Sequence, residues 1–123
     1  MPGKRNKRGM RVLIVEDDED NLDFLRTVVE ADGHVCRTAR TVAEAVAAID
    51  AGAPDVILLD FFLPDGYGME VARHAREKKR VRVVAVSAYL ERWSKDAYAQ
   101  LGIKQLIPKP YRVQAIRKAL RGA

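Results

Sequence analysis

The sequence predicts an α/β fold, a five-stranded parallel sheet with five helices packed on both faces. Three observations carry that prediction. Short apolar runs alternate with amphipathic segments five times along the chain. The run Val56-Ile57-Leu58-Leu59 is unbroken, as a strand covered on both faces requires. Glycine or proline marks the joins, at Gly33, Gly52, Pro54, Gly102 and Pro110.

Taken in order, the first strand is expected at about 11–16. A helix follows at about 20–31, with Leu22, Leu25 and Val29 on one face and Gly33 as its stop. The second strand falls at about 34–38. Thr41-Val42-Ala43-Glu44 has the pattern of a capping box, and Val42, Ala45, Val46 and Ile49 form the buried stripe of helix two. Gly52 and Pro54 end that helix. Strand three is expected at about 55–60, and a loop with Pro64, Gly66 and Gly68 opens into helix three at about 68–78. Strand four covers about 81–87, helix four about 91–100, and strand five about 104–107. Pro110 suits the first turn of a last helix at about 111–121. Strands separated by helices pair in parallel through right-handed crossovers.

The bulk properties fit this reading. A chain of 123 residues makes one domain, and a domain of that size buries roughly two-thirds of its unfolded surface. No apolar run approaches the ~20 residues of a membrane helix. The basic start, Met1 to Gly9, is not followed by a signal-type apolar stretch. Lone Cys36 has no internal partner for a disulfide and is expected to pack as a small hydrophobe. A cytoplasmic location is therefore expected. The net charge of +5 is local, because Lys4, Arg5, Lys7, Arg8 and Arg11 precede the first acid. Beyond them basic and acidic residues balance at 17 each. Residues 1–10 are read as a basic flexible tail and 11–123 as the domain. Nucleic-acid contact through the tail is not favoured, since it has no aromatic residue and no second basic block accompanies it.

The chemistry sits where the apolar runs end. Val12 to Val15 runs into Glu16 and Asp17, Val56 to Leu59 into Asp60, the fourth strand into Ser87, and the fifth into Pro108-Lys109-Pro110. In an open parallel sheet, ligands bind beyond the carboxyl ends of the strands. Carboxylates converging there repel one another, and a hard divalent cation such as Mg²⁺ relieves the conflict. Glu16 and Asp17 are candidate ligands, whereas Asp18, Glu19 and Asp20 suit the start of a helix. Asp60 is a candidate nucleophile able to form an acyl phosphate. Ser87 offers a hydroxyl and Lys109 a cation to phosphoryl oxygens.

In ordered combination, these residues resemble the response-regulator receiver domain of two-component signalling, in the single-domain form of chemotaxis regulators. The resemblance runs from about Arg11 to Arg121. It rests on Val15-Glu16-Asp17, Leu59-Asp60, Pro64, Gly68, Val86-Ser87-Ala88, Gly102 and Lys109-Pro110. It implies the flavodoxin-like strand order 2-1-3-4-5 and a cis Lys109-Pro110 bond. It also implies phosphorylation of Asp60 by a sensor histidine kinase or histidine phosphotransfer protein. Mg²⁺ would be held by Glu16, Asp17, Asp60 and the backbone carbonyl of Phe62. Ser87 and Lys109 would read the phosphoryl group and reshape the face of helix four, strand five and helix five. That face would bind a downstream protein or a second copy of the chain. Such a domain catalyses its own phosphorylation and a slow loss of phosphate, but it is primarily a switch, and no membrane partner is expected.

Three features depart from the family pattern. Glu16 stands where aspartate is common. Leu106, three before the lysine, replaces the aromatic residue that usually reports the switch. Phe62 and Tyr89 add bulk beside the path of an attacking water and are expected to slow phosphoryl loss. Tyr89, Trp93, Leu106 and Tyr111 are assigned to the output side, with Trp93 read as a contact residue early in an exposed helix and Tyr98 and Tyr111 as either core or contact. A receiver-shaped module that binds partners without phosphorylation is the competing function, kept open by Leu106. A flavodoxin-like cofactor site is excluded, because Glu16 to Asp20 would repel a phosphate cradled after strand one.

Overall fold

The computed structural model describes residues 9–78 and 80–122. Lys4, Arg5, Lys7 and Arg8 of the basic tail lie outside the described residues. The strands are β1 (Arg11–Val15), β2 (Val35–Ala39), β3 (Val56–Leu59), β4 (Arg82–Ser87) and β5 (Gln105–Pro108). The helices are α1 (Glu19–Ala31), α2 (Val42–Ala51), α3 (Gly68–Arg76), α4 (Lys95–Gln100) and α5 (Val113–Arg121). All five strands pair in parallel in the order β2-β1-β3-β4-β5. Among the described residues no helix is long and apolar enough to cross a membrane.

Side-chain alternation explains why the strands read as continuous apolar runs. Leu13, Val15, Ile57, Leu59, Val83 and Ala85 face one side of the sheet, where they meet Val71 of α3 and Tyr98 of α4. Val12, Ile14, Val56, Leu58, Val84 and Val86 face the other, against Leu25 of α1 and Ile116 of α5. The first side is rich in aromatic rings, and the second is almost wholly aliphatic.

The helix starts are built from local chemistry. Asp18 accepts the Asn21 N–H at 2.9 Å and caps α1. Thr41 accepts the Glu44 N–H at 3.0 Å, while Glu44 accepts the Arg40 N–H at 2.9 Å, just ahead of the cap. Asp65, from the loop after β3, adds a second cap to α2 by accepting the N–H groups of Val42 and Ala43 at 2.7 and 3.1 Å. At the far end of the chain, Arg82 donates to the carbonyls of Ala119 and Leu120 at 2.5 and 2.7 Å, and to Gln105 at 2.8 Å. Its guanidinium thereby caps the last turn of α5, where the Ala119 carbonyl also accepts the Gly122 N–H at 3.0 Å.

Three expected elements are corrected. The helix expected at 91–100 is two pieces, a 3₁₀ turn at Leu90–Arg92 and α4 from Lys95. Trp93 and Ser94 between them are extended, and Ser94 accepts the Ala97 N–H at 3.1 Å, so the serine starts a new helix. The stretch 61–68 is more than a loop, since Phe62–Leu63 and Gly66–Tyr67 form a short antiparallel ladder around Pro64-Asp65. The last helix begins at Val113 rather than 111, after an extended Arg112.

Candidate active site

Strand register brings the reactive groups together. Val15 lies beside Leu59, and Leu59 beside Ala85, so Glu16 and Asp60 emerge side by side at the carboxyl edge. The Glu16 N–H bonds to the Ala39 carbonyl and the Asp60 N–H to that of Val15, each at 3.0 Å. Lys109 arrives from β5 with its own N–H bonded to the Ser87 carbonyl at 3.0 Å, ahead of a cis Lys109-Pro110 bond.

Lys109 Nζ bridges the two acids, donating to Glu16 Oε1 at 2.8 Å and to Asp60 Oδ2 at 2.9 Å. The remaining oxygens are also engaged. Glu16 Oε2 accepts the Asp18 N–H at 3.0 Å, and Asp60 Oδ1 accepts the Phe62 N–H at 3.1 Å. Glu16 is 2% exposed and Asp60 7%. Burial is the main force raising the Glu16 pKa above its ordinary value, and the Asp60 charge adds to it; the bonds from Lys109 and Asp18 oppose them. Burial also works against the Lys109 charge, but the two carboxylates outweigh it and raise the lysine pKa. Two buried acids share one ammonium, leaving net negative charge at the strand ends.

Ser87 is buried at 1% exposure, and its Oγ accepts the Tyr89 N–H at 3.4 Å; among the described residues that hydroxyl bonds to neither Asp60 nor the Lys109 side chain. Asp17 is exposed and makes no hydrogen bond among the described residues, its charge acting instead on the Arg40–Glu19 pair. Accordingly, no group of three or more His, Cys, Asp or Glu side chains is assembled to hold a metal among the described residues. The donor chemistry nevertheless suits a hard divalent ion: carboxylate oxygens predominate, and the negative charge exceeds what Lys109 offsets.

Gly68 is required where the loop returns. A Cβ there would lie 2.7 Å from the Asp60 carbonyl oxygen and 2.7 Å from the Phe61 ring. Phe61 itself is buried and begins a chain of rings. Its centroid lies 5.4 Å from Trp93 and 5.3 Å from Tyr98, while Phe62 lies 5.4 Å from Tyr89, 5.3 Å from Trp93 and 5.9 Å from Tyr67. Arg92 stands 5.9 Å from both the Phe62 and the Tyr89 centroids.

The expected aromatic grouping on one output face is therefore corrected. Trp93 is half-buried among rings, not an exposed helical contact, and Tyr98 is core, with its hydroxyl donating to the Leu90 carbonyl at 2.6 Å. Tyr111 lies on the opposite side of the sheet, 5.7 Å from Phe24. Its hydroxyl is buried without a partner among the described residues, and burial together with the Glu16 charge pushes its pKa up to about 12. Leu106 is half-buried and packs on the aromatic side.

The family model described as response regulator receiver domain matches residues 12–121. The chain belongs to that family. This receiver is 37% identical over 112 residues to the KDP operon transcriptional regulatory protein KdpE of Escherichia coli (strain K12), covering 91% of this chain and 50% of KdpE. It is 33% identical over 105 residues to the polar-differentiation response regulator DivK of Brucella ovis, covering 83% of this chain and 85% of DivK. The chain thus spans half the length of one relative and most of the other. In fold it matches the receiver domain of the sensor histidine kinase PA1611 from Pseudomonas aeruginosa PAO1, with a TM-score of 0.82 and 23% identity over 93% of this chain and 96% of that one. That structure has a magnesium ion coordinated in its active-site cleft.

Proposed function

We propose that this receiver is a phosphorylatable switch in which Asp60 takes a phosphoryl group from a sensor histidine kinase or a histidine phosphotransfer protein. The observation that carries the reading is the buried Glu16–Lys109–Asp60 bridge at the strand ends. An Asp60 oxygen bonds to phosphorus as the phosphorus–nitrogen bond of the donor phosphohistidine breaks, and the imidazole leaves with a proton from water. Lys109, already on Asp60, is placed to follow a phosphoryl oxygen there, and Ser87 gives up its contact with the Tyr89 N–H to meet another. The carboxylates of Glu16, Asp17 and Asp60 and the Phe62 carbonyl would hold Mg²⁺, which when bound offsets charge on the phosphoryl oxygens. Movement of the segment after β4 then alters the face of α4, β5 and α5, where a downstream protein or a second copy docks.

The test is intact mass after incubation with acetyl phosphate or phosphoramidate and Mg²⁺. Wild type gains one phosphoryl group and Asp60→Asn gains none. A wild type that binds Mg²⁺ yet gains no adduct overturns the reading. A second reading, a module that binds partners without phosphorylation, is favoured by Leu106, which has no ring to turn between states. It predicts partner binding unchanged in Asp60→Asn.

A further inference from the structure

Between α3 and α4, on the side of the sheet away from the Glu16–Lys109–Asp60 bridge, lies a cavity of 440 Å³. Its aromatic floor is Phe61, Trp93 and Tyr98, and Leu101 also lines it. Two cations stand at its rim, Arg73 and Arg76, three residues apart and so on one face of α3. Arg76 donates to the Gln100 carbonyl at the end of α4, which holds its guanidinium across the groove. Arg73 is exposed and has no hydrogen-bond or ion-pair partner among the described residues. Among the described residues no acidic side chain lines the cavity.

We propose that this groove binds a small amphipathic anion, a flat apolar body carrying one carboxylate, sulfonate or phosphate. The volume falls within the roughly 300–1,000 Å³ of small-molecule sites. A neutral apolar ligand would leave the unpartnered Arg73 guanidinium unused. A bare inorganic anion would leave the aromatic floor in water. Only a molecule with both parts engages the whole lining, with the guanidinium fork on its anionic group.

The probe is 1-anilinonaphthalene-8-sulfonate, titrated into ¹⁵N-labelled protein and followed by amide and indole NMR shifts. The expected result is saturable shifts centred on the Trp93 indole N–H, Arg73 and Leu101, with the uncharged N-phenyl-1-naphthylamine binding about tenfold more weakly, a difference of ~1.4 kcal/mol. Arg73→Glu lowers sulfonate affinity by a similar factor, and Arg73→Lys, which keeps the charge without the fork, lies between it and wild type. Shifts that do not saturate or that map to another face overturn the site, as does equal affinity for the charged and neutral probes. Sulfonate binding unchanged in Arg73→Glu overturns it too. If Arg73→Glu does not fold, the two-probe comparison on wild type decides.

Discussion

The two sides of the sheet do different work with equally apolar strands. The side under α1 and α5 is packed with Val, Ile and Leu, and its alternation continues into Glu16, Asp60 and Lys109. The side under α2, α3 and α4 continues instead into Phe61, and from there into Trp93, Tyr98, Phe62 and Tyr89. Aliphatic packing is nearly non-directional, whereas rings prefer particular edge-to-face arrangements. One side therefore carries the Glu16–Lys109–Asp60 bridge, and the other links the Phe61–Phe62 segment to α4 through oriented contacts.

The largest test of that contrast is Phe61→Ala, expected to cost about 3–5 kcal/mol in urea unfolding. It should also shift the emission of Trp93. Leu58→Ala on the aliphatic side should cost a comparable ~2–5 kcal/mol and leave that emission in place; an equal spectral shift from both would break the comparison. Next is Lys109→Met, which removes charged hydrogen bonds worth about 1.5–3 kcal/mol at neutral pH. The lysine pKa is raised in the fold above its ordinary 10.5, so its contribution is fully present below pH 10.5 and is lost as pH rises through the folded value. Wild type should show that alkaline loss and the variant should not. Glu16 has the same direction of shift and an acidic range. Its contribution is present below pH 4.5 and fades as pH rises through its raised value, so ionised Glu16 weakens the fold at neutral pH.

A smaller effect sharpens the role of the rings near the acceptor. Phe62→Asn with Tyr89→Ala should speed phosphoryl loss about tenfold, equivalent to ~1.4 kcal/mol in barrier. Slower loss in the double variant would show that the rings do not shield Asp60. Smallest is the pair Phe61 and Trp93. A double-mutant cycle to leucine should return a coupling of about 0.5–1.5 kcal/mol, and strict additivity would remove the argument for oriented contact.

Much of this was legible in the sequence because strand ends and helix caps are local. Val56 to Leu59 announces a doubly covered strand, and Thr41 and Glu44 announce a helix start. Asp60 and Lys109 are conspicuous because each punctuates an apolar run. The Ser94 cap was equally local, but an apparently continuous polar-apolar pattern from Glu91 obscured it. What could not be read was long-range partnership. The Glu16–Lys109 bond joins residues 93 positions apart, and Asp65 caps a helix that precedes it in the chain. Trp93, flanked by charged residues, looks exposed in sequence, and only the fold supplies Phe61 and Phe62 as its neighbours.

The clasp of Arg82 on the last carbonyls of α5 has a mechanical consequence. It rivets the carboxyl end of that helix to the start of β4, far from the acceptor. Its amino end follows Lys109-Pro110 at the opposite pole of the domain. A displacement of Lys109 would therefore swing α5 like a lever about a fixed pivot, with its greatest travel at the end that follows Lys109. Cutting the rivet with Arg82→Ala should let the helix slide as a whole, and the motion would lose its direction before it lost its size.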